Sequence, residues 1–275
     1  MLSSQQRQDF DRDGYVVLHG FKPAPEIAAL RLRAEAIVDA FDPADGAGIF
    51  STTDLSRSAE QWFLDSGDRV RCFFEEHAFD AEGRLAVPKA LAINKIGHAM
   101  HHLDPTFAQF SMGADIAALA AALGVQRPRV WQSMYIFKQP AIGGEVRWHQ
   151  DASYLIAEPL PVTGLWFALE DATLDNGCLW VQPGGHRSPL RERFVRSAEG
   201  VRLDRLDATA WPTPAEARPL EVPAGAVVCF HGLMPHYSAP NRSAVSRHAY
   251  TLHLSDERSH WSQDNWLRTD AHSFL

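Results

Sequence analysis

The spacing of hydrophobic residues divides the chain into two parts near residue 129. In the first part, apolar side chains recur every three or four residues along Glu26–Phe41 and Ile116–Leu123, which is the period of an α-helix. Pro25 near the start of the first segment and Gly124 after the second are typical of helix boundaries. Residues 1–128 are therefore predicted to be rich in helix.

Three other segments of this first part carry weaker signals. Tyr15–Leu18 and Leu91–Ile96 are short runs of residues that favour strands. Residues 51–78 are predicted to be helical but irregular. The first part is thus expected to consist mainly of helices, with an occasional strand.

The second part contains short segments rich in β-branched and aromatic residues. These segments are Val130–Phe137, Gly164–Leu169, Cys178–Val181, Ala226–Phe230 and Ala249–Leu254. Turn-forming groups such as Gly143-Gly144 and Pro183-Gly184-Gly185 lie between them. Closely spaced strands of this kind predict a mainly β protein, with an antiparallel cupin-like jelly roll at about residues 129–256 and the helices packed outside it.

Length and composition favour one domain. The chain has 275 residues, of which 45% are hydrophobic, and this is enough to bury a sizeable core. No change of composition marks a linker, so residues 1–275 are predicted to form one domain around the jelly roll. The sequence does not indicate an oligomeric state.

Charge and the lack of targeting signals disfavour several classes of function. The net charge is −8 and no run of Lys or Arg occurs, so a nucleic-acid partner is not expected. The N-terminus has no signal-peptide pattern, and no run of 18 apolar residues predicts a membrane span. Cys72, Cys178 and Cys229 are odd in number and widely spaced, which argues against a disulfide framework. We expect a cytoplasmic protein that acts on a small molecule.

Two stretches of the sequence have the spacing His-x-Asp, which can supply two ligands to one metal ion. They are His102-Leu103-Asp104 and His149-Gln150-Asp151. With 13 histidines and 20 aspartates among 275 residues, about one such triplet is expected by chance. Two imidazoles and one carboxylate can occupy one face of an octahedral iron(II) and leave the other face open for a cosubstrate and O₂. The pattern is chemically informative, but its location must decide between the two copies.

Local structure separates the two triplets. On a strand, residues i and i+2 point to the same face, so His149 and Asp151, which follow a predicted strand and a Gly-Gly turn, can reach one metal ion inside a barrel. On a helix, the same two positions diverge by about 200°. His102 and Asp104 lie between two helical segments, where Asp104 is expected to begin the turn at Pro105. We therefore favour His149 and Asp151 as ligands.

A third ligand would come from one of the later histidines. The candidates are His186, His231, His236, His248 and His253. Spacing alone does not choose among them, but His236 is favoured because Arg247 follows it at the entry to the last predicted strand. Adjacent strands would then bring a ligand and a guanidinium into one cavity, and a guanidinium binds a carboxylate through a planar two-pronged contact. Arg242 is the nearest alternative cation but lies in a Pro-Asn turn.

Motifs that occur in the same order and with compatible spacing over nearly the whole chain resemble the phytanoyl-CoA dioxygenase family. They are Ile93-Asn94-Lys95-Ile96-Gly97-His98, Gln132-Ser133-Met134-Tyr135, His149-Gln150-Asp151, Gly164-Leu165-Trp166-Phe167-Ala168, Asn176-Gly177-Cys178-Leu179-Trp180, Pro183-Gly184-Gly185-His186 and His236-Tyr237-Ser238 with Arg247. One departure is Gly185, which stands where the family pattern has a serine. This departure does not touch the candidate ligands.

The resemblance implies a double-stranded β-helix that uses iron(II), 2-oxoglutarate as cosubstrate and O₂. The residues implied to hold the iron are His149, Asp151 and His236. Those implied to bind the distal carboxylate of 2-oxoglutarate are Arg247 and Ser238, and those implied to line its pocket are Lys95, Met134, Gln150 and Trp166. On a regular strand Gln150 would point away from its two neighbours, so its backbone is the part expected to contribute.

The reaction implied by the resemblance is oxidation of a small organic or acyl substrate, most simply hydroxylation of a C–H bond, with release of succinate and CO₂. Asp151 favours hydroxylation over halogenation, because loss of the carboxylate ligand would free a site for halide. Two alternatives stay open. One is a cupin-like metalloprotein that does not use 2-oxoglutarate and would have no need of Arg247, and the other is a non-catalytic binding module. The family name suggests an acyl-CoA, but the sequence has no evident site for the CoA phosphates.

Overall fold

The structure is a computed structural model of the chain, and it describes residues 2–45, 48–52, 54, 56 and 60–275. The α-helices are α1 (Ser4–Asp13), α2 (Ala24–Ala40), α3 (Gln61–Leu64), α4 (Lys89–Ala92), α5 (Met100–Leu103), α6 (Pro105–Ser111) and α7 (Ala114–Ala122). Short 3₁₀ helices span Pro43–Asp45, Glu76–Ala78, Asp151–Ser153 and Gly185–Arg187. The strands are β1 (Tyr15–Leu18), β2 (Gly48–Ile49), β3 (Val70–Phe74), β4 (Ile93–His98), β5 (Arg129–Ile136), β6 (Val146–His149), β7 (Ala157–Glu158), β8 (Thr163–Ala168), β9 (Leu179–Val181), β10 (Glu192–Ser197), β11 (Gly200–Arg205), β12 (Arg218–Leu220), β13 (Val227–His231), β14 (His236–Ser238), β15 (Ala249–Ser255), β16 (His260–Trp261) and β17 (Ser273–Phe274).

Two facing sheets form the centre of the molecule. The larger sheet has the strand order β1-β13-β8-β15-β5-β4-β3-β2, and β17 also pairs with β5. The smaller sheet has the order β12-β9-β14-β6. Along the chain, β5, β8, β13 and β15 of the larger sheet alternate with β6, β9 and β14 of the smaller sheet, as in a double-stranded β-helix. The predicted jelly roll is confirmed.

The last central strand, β15, shows how its sequence serves both sides of the larger sheet. Tyr250, Leu252 and Leu254 belong to the hydrophobic core that the helices cover. Thr251 and His253, which alternate with them, line the cavity between the sheets. This two-residue period follows from the pleat of a strand. One face of the strand therefore packs in the hydrophobic core, and the other face lines the cavity.

The helices cover the outer face of the larger sheet. Leu30 and Val38 of α2 lie in the same core cluster as Phe107 and Phe110 of α6. The ring of Phe110 meets that of Tyr250 edge to face, with 5.6 Å between their centroids. Burial of such aromatic side chains is a dominant favourable term in folding. This core supports the larger sheet, and the opposite face of the same sheet lines the cavity.

The helices predicted from the apolar period are confirmed, whereas one segment of the first part was predicted wrongly. The stretch 51–78 was expected to be an irregular helix, and the described part of it contains α3, strand β3 and a 3₁₀ turn, while residues 53, 55 and 57–59 lie outside the described residues. Val70–Phe74 forms a strand because it pairs antiparallel with β4 and buries Phe73 and Phe74. Tertiary pairing outweighed the weak local signal.

The other weak signal was displaced by two residues. Leu91, expected to begin a strand, lies instead in α4, and the strand runs over Ile93–His98. Pro88 precedes α4, where its fixed φ suits the start of a helix. No helix in the described part of the chain is both long enough and apolar enough to cross a bilayer.

Candidate metal centre

A cavity of about 170 Å³ lies between the two sheets. Its walls include Met134 and Trp166 from the larger sheet, and His149 and His236 from the smaller one. Most of the surface that the lining residues present to the cavity is apolar, although polar and charged side chains also contribute to the wall. The cavity has the usual character of a small-molecule site, which is largely apolar with a few polar groups that converge.

The three predicted ligands converge in this cavity. His149 ends β6, His236 begins β14, and the two residues are direct partners across these antiparallel strands. Asp151 begins a 3₁₀ helix two residues after His149. Its Oδ1 lies 3.7 Å from Nε2 of His149 and 3.6 Å from Nε2 of His236. One ligand atom from each residue lies within 4.8 Å of the others, which is a spacing that suits one metal ion.

The secondary structure that brings His149 and Asp151 together differs slightly from the prediction. The strand ends at His149, and Asp151 already belongs to a helical turn. Gln150 between them is extended, with φ −118° and ψ 133°, so the alternation of a strand still holds over the triplet. The side chain of Gln150 accordingly points to the other side.

Backbone carbonyls orient both imidazoles. Nδ1 of His149 lies 2.9 Å from the carbonyl oxygen of Arg147, and Nδ1 of His236 lies 2.9 Å from that of Met234. A carbonyl oxygen only accepts, so each Nδ1 carries the proton and each Nε2 keeps a free lone pair. This is the usual arrangement of metal-binding histidines, in which the second nitrogen fixes the tautomer and the ring orientation.

His253 was not predicted to take part, yet its side chain faces Asp151. Its Nε2 lies 3.2 Å from Oδ2 of Asp151, the carboxylate oxygen that does not face the other two histidines. Sequence alternation could have indicated this contact, because His253 follows Arg247 by an even number of residues along the last strand. The carboxylate is thereby left with Oδ1 toward the cluster.

The local electrostatics keep the cluster ready to bind a cation. Burial, and then the neighbouring His236, lower the pKa of His149 to about 3, so this imidazole is neutral at pH 7. Burial alone would raise the pKa of Asp151, but the facing imidazoles of His253, His236 and His149 hold it well below its usual range. Metal ligands must be deprotonated, and the neutral His149 and the ionised Asp151 meet this condition. The donor set fits iron(II).

Close packing around Asp151 depends on a glycine in β8. A Cβ on Gly164 would lie 2.5 Å from Cε2 of Phe230 and 3.0 Å from Oδ2 of Asp151. Any side chain there would displace the aromatic ring or the carboxylate. Gly164 therefore leaves the space that the ring of Phe230 and the carboxylate of Asp151 occupy.

Arg247 brings a buried positive charge into the same cavity. Its side chain is 1% exposed, Nε donates to the carbonyl oxygen of Gly177 at 3.2 Å, and Nη2 donates to Oγ of Ser238 at 3.4 Å. Nη1 has no hydrogen-bond partner in the described part of the protein. Burial lowers the pKa of Arg247 to about 10, so the guanidinium stays charged at pH 7. A buried charge with a free donor fits an anionic ligand, since leaving it unpaired is costly.

The other residues implied to bind the cosubstrate lie in the cavity wall, with one exception. Ser238, Met134, Trp166 and Lys95 all line the cavity. The guanidinium carbon of Arg247 lies 5.2 Å from the ring centroid of Trp166, and Nζ of Lys95 lies 3.4 Å from that of Phe50. Burial lowers the pKa of Lys95 well below its usual value.

Gln150 is the exception, because it does not line the cavity, and its side chain points away from it as strand alternation predicts. Nε2 donates to the backbone carbonyls of Pro189 and Leu233, and Oε1 accepts from the backbone N–H of Arg191. The side chain is fully committed on the far side of the triplet, as strand alternation requires. Its place in the structure is to tie the metal-binding segment to two neighbouring loops.

Lys138 is another ionisable residue that lines the cavity, and the sequence analysis did not identify it. It is buried, and Nζ donates to the carbonyl oxygens of Gly144 at 2.6 Å and Ser238 at 3.4 Å. Burial and the nearby Arg247 lower its pKa to about 7. Alternation beyond β5 could have revealed it, because Gln132, Met134, Ile136 and Lys138 all line the cavity.

The remaining candidates lie elsewhere. The rings of His186 and His231 contact each other, with 5.4 Å between their centroids. His248 lies on the opposite side of the larger sheet, where Nδ1 is 2.8 Å from the hydroxyl of Tyr135. Arg242 is exposed and does not line the cavity.

The fold and the cluster together define a double-stranded β-helix protein with two histidines and one carboxylate in a cavity between its sheets. A family profile described as phytanoyl-CoA dioxygenase (PhyH) matches residues 10–249. The chain belongs to the phytanoyl-CoA dioxygenase family. The resemblance inferred from the motifs is confirmed, and the protein is an enzyme of the dioxygenase class.

Proteins with similar sequences align with this chain over almost the full length of both proteins. Phytanoyl-CoA dioxygenase 1 of Oryza sativa subsp. japonica is 46% identical over 273 residues, which are 97% of this chain and 94% of that protein. Phytanoyl-CoA dioxygenase domain-containing protein 1 of Bos taurus is 45% identical over 280 residues, which are 97% of this chain and 95% of that protein.

Solved structures with low sequence identity share the fold. The carbocyclase SnoK from nogalamycin biosynthesis, described as non-heme and α-ketoglutarate dependent, has a TM-score of 0.67 at 17% identity and covers 100% of this chain and 96% of its own. EctD from S. alaskensis with 2-oxoglutarate and 5-hydroxyectoine has a TM-score of 0.64 at 22% identity and covers 96% of this chain and 79% of its own. Both confirm the predicted fold class.

Proposed function

We propose that this protein is an iron(II)- and 2-oxoglutarate-dependent dioxygenase that hydroxylates a small molecule. The observation that carries the proposal is Nη1 of Arg247, which has no hydrogen-bond partner among the described residues and belongs to a side chain in the same cavity as the His149, Asp151 and His236 cluster. A metalloprotein that did not bind an acid would have no use for an unpaired guanidinium at this depth. Proteins of the same fold that were solved with 2-oxoglutarate support the choice of cosubstrate.

His149, Asp151 and His236 would hold the iron through Nε2, Oδ1 and Nε2. When bound, iron with 2-oxoglutarate and O₂ supplies an oxidant for C–H bonds, and the cosubstrate leaves as succinate and CO₂. The protein contributes an oriented ligand set, because the two backbone carbonyls orient both imidazoles and the neighbouring histidines keep Asp151 ionised.

Arg247 and Ser238 would bind the distal carboxylate of the cosubstrate. Ser238 Oγ donates to the carbonyl of Gly177 and accepts from Arg247, which holds the guanidinium in place with Nη1 free. A charge-assisted contact of this kind is stronger than a neutral hydrogen bond. Met134, Trp166 and Lys95 form the adjoining wall and would exclude water from this end of the cavity.

Several further points belong to the proposal. The retained carboxylate of Asp151 favours hydroxylation over halogenation. The substrate is a small organic molecule or an acyl group, and the whole chain works as one domain. The three cysteines are buried free thiols, and a reducing cytoplasm is the compartment we propose.

Anaerobic addition of iron(II) and 2-oxoglutarate to the purified protein tests the proposal. We expect a weak visible charge-transfer band, and we expect it to be lost in His149→Ala. His102→Ala is the matched control, since it changes the other His-x-Asp triplet, and it should keep the band. A wild-type protein without the band would exclude the cosubstrate. Succinate formation that survives His149→Ala would exclude this iron site.

The same experiment addresses the cupin-like alternative. A metalloprotein that does not use 2-oxoglutarate would bind iron at the cluster but show no band when the cosubstrate is added. It would also be unaffected by Arg247→Met.

A further inference from the structure

A histidine that the proposed chemistry does not use lies in the wall of the same cavity. His98 ends strand β4 and is completely buried. It lines the cavity, while its hydrogen-bond partner Ser66 does not. A buried imidazole in a ligand cavity needs an explanation, because a lost hydrogen bond at depth is costly.

The contacts of Ser66 determine the tautomer of His98. Ser66 Oγ donates to the carbonyl oxygen of Phe63 at 2.5 Å, and it lies 2.7 Å from Nδ1 of His98. A hydroxyl has one proton to donate, and the carbonyl can only accept. Ser66 therefore accepts from His98, so Nδ1 carries the proton of the neutral ring and Nε2 carries the lone pair.

The contact with Ser66 leaves Nε2 on the side of the ring that faces away from Ser66. In an imidazole, the bond between Nε2 and Cδ2 is opposite Nδ1, and Nδ1 points to Ser66, which is outside the cavity wall. Nε2 has no hydrogen-bond partner in the described part of the protein. Burial, with the nearby charges of Lys95 and His253, lowers the pKa of His98 well below its usual value, which keeps the ring neutral.

Aromatic rings surround this acceptor. Phe63 and Trp266 meet the His98 ring edge to face, with centroid distances of 5.5 Å and 5.1 Å, and Phe73 lies at 5.5 Å. Phe63 and Trp266 also line the cavity and stack on each other at 4.3 Å. The local wall is aromatic, and it holds the neutral acceptor of His98 together with Nζ of Lys95, which lies 5.4 Å from the centroid of the Phe63 ring.

We propose that Nε2 of His98 accepts a hydrogen bond from a hydroxyl or N–H group of the primary substrate. The substrate class is then a compact, largely apolar or aromatic molecule that carries such a donor. This inference rests on the proposed function, because it assigns the substrate end of the same cavity. It differs from the expectation of a saturated acyl chain, which has no donor to offer to His98.

A pair of probes that differ only in the donor tests the proposal. Phenol has a hydroxyl, and anisole replaces its proton with a methyl group. Calorimetric titration of each into the full chain, first without metal and then with iron(II) and 2-oxoglutarate under anaerobic conditions, measures the preference. We expect phenol to bind roughly tenfold more tightly in both states, as one buried hydrogen bond would give.

His98→Phe keeps the ring and removes the acceptor, so the preference for phenol should disappear in this variant. His272→Phe is the matched control. His272 also lies beside aromatic rings, with 4.8 Å between its ring centroid and that of Trp131, but it does not line the cavity. Equal binding of the two probes by the wild type, no binding of either, or a preference that survives His98→Phe would each overturn the proposal.

A second measurement does not depend on the variant folding. Nitrogen-15 NMR of the wild-type protein reports which ring nitrogen of His98 is protonated, and the expected proton is on Nδ1. A proton on Nε2 would make His98 a donor and would overturn the proposal. Because the probes and the NMR signal are read without turnover, their failure is distinguishable from a missing charge-transfer band, which concerns the cosubstrate alone.

Discussion

The two His-x-Asp triplets share a spacing but not a structural role. His149 and Asp151 place their side chains in one cavity, where His236 joins them from a neighbouring strand. His102 and Asp104 point to different partners. Nδ1 of His102 lies 3.1 Å from Oγ of Ser273 in an exposed position.

Asp104 performs a local structural task. Its Oδ1 accepts from the backbone N–H groups of Thr106 and Phe107, which caps the N-terminus of α6, and Oδ2 pairs with Arg33 at 2.6 Å. The expectation that Asp104 begins the turn at Pro105 is confirmed. A carboxylate at a helix start satisfies orphan N–H groups of the same segment.

The difference shows what turns a pair of ligands into a metal site. Asp104 finds its partners mainly within three residues, whereas Asp151 faces His236 and His253, which are distant in sequence. Only a sheet that brings remote strands together can assemble the second kind of environment. The predictions below test this contrast.

The largest effect is expected from removing the two carboxylates in turn. Asp151→Ala should lower succinate formation by roughly a hundredfold or more, because an iron ligand is lost and effects of neighbouring groups alone reach that size. Asp104→Ala should leave the rate per folded molecule close to that of the wild type. Steady-state assays with a fixed amount of folded protein compare the two. Equal losses in both variants would contradict the assignment.

Arg247→Met should mainly weaken cosubstrate binding. Loss of a charge-assisted contact to a carboxylate predicts a KM for 2-oxoglutarate raised roughly 10- to 100-fold, with a smaller change in kcat. Arg242→Met is the control, because this arginine is exposed outside the cavity. If both variants kept the wild-type KM, the distal carboxylate would bind elsewhere.

His253→Asn should loosen the metal site without removing a ligand. The shorter side chain no longer reaches Oδ2 of Asp151, and loss of such a supporting contact typically costs about tenfold or more in metal affinity. Anaerobic iron(II) titration measures the affinity. His248→Asn, on the other face of the sheet, should leave it unchanged. An unaltered affinity in His253→Asn would show that Asp151 needs no such support.

The smallest effect is expected on stability at the other triplet. Asp104→Ala should lower the free energy of unfolding by about 1 kcal/mol, through loss of the helix cap. Asp104→Asn keeps an oxygen acceptor and should lose less. Urea denaturation followed by circular dichroism gives both values. A loss in Asp104→Asn as large as in Asp104→Ala would assign the stability to the pair with Arg33 instead.

Much of the central fold could be predicted from local patterns. The β-prone segments after residue 129 correspond to β5, β8, β9, β13 and β15, because strand period and turn residues are written locally. Residues 51–78 escaped prediction for the opposite reason. Val70–Phe74 becomes a strand by pairing with β4 on one side and β2 on the other, and neither pairing is visible in the segment itself.

The residues of the candidate site also differ in whether local sequence patterns could identify them. The triplet at His149 and the cation at Arg247 could be chosen from spacing, predicted strands and family resemblance. Gln150 was implied to line the pocket, although alternation already pointed its side chain away, and the structure ties it to Pro189 and Leu233. Lys138 was overlooked and His253 was passed over in favour of His236, because no motif marks either residue and only its position on a strand face does.

By itself, the sequence determined the class of fold, the family and the chemical identity of the ligands, since period, turn residues and motif order are properties of neighbouring residues. The tertiary structure decided which side chains share the cavity. It placed His253 against Asp151, and it left Nη1 of Arg247 and Nε2 of His98 buried without a hydrogen-bond partner among the described residues. These contacts join residues far apart in the chain, and their directions are set by sheet pairing and by the hydrogen bonds that orient each side chain, neither of which is encoded in any one segment.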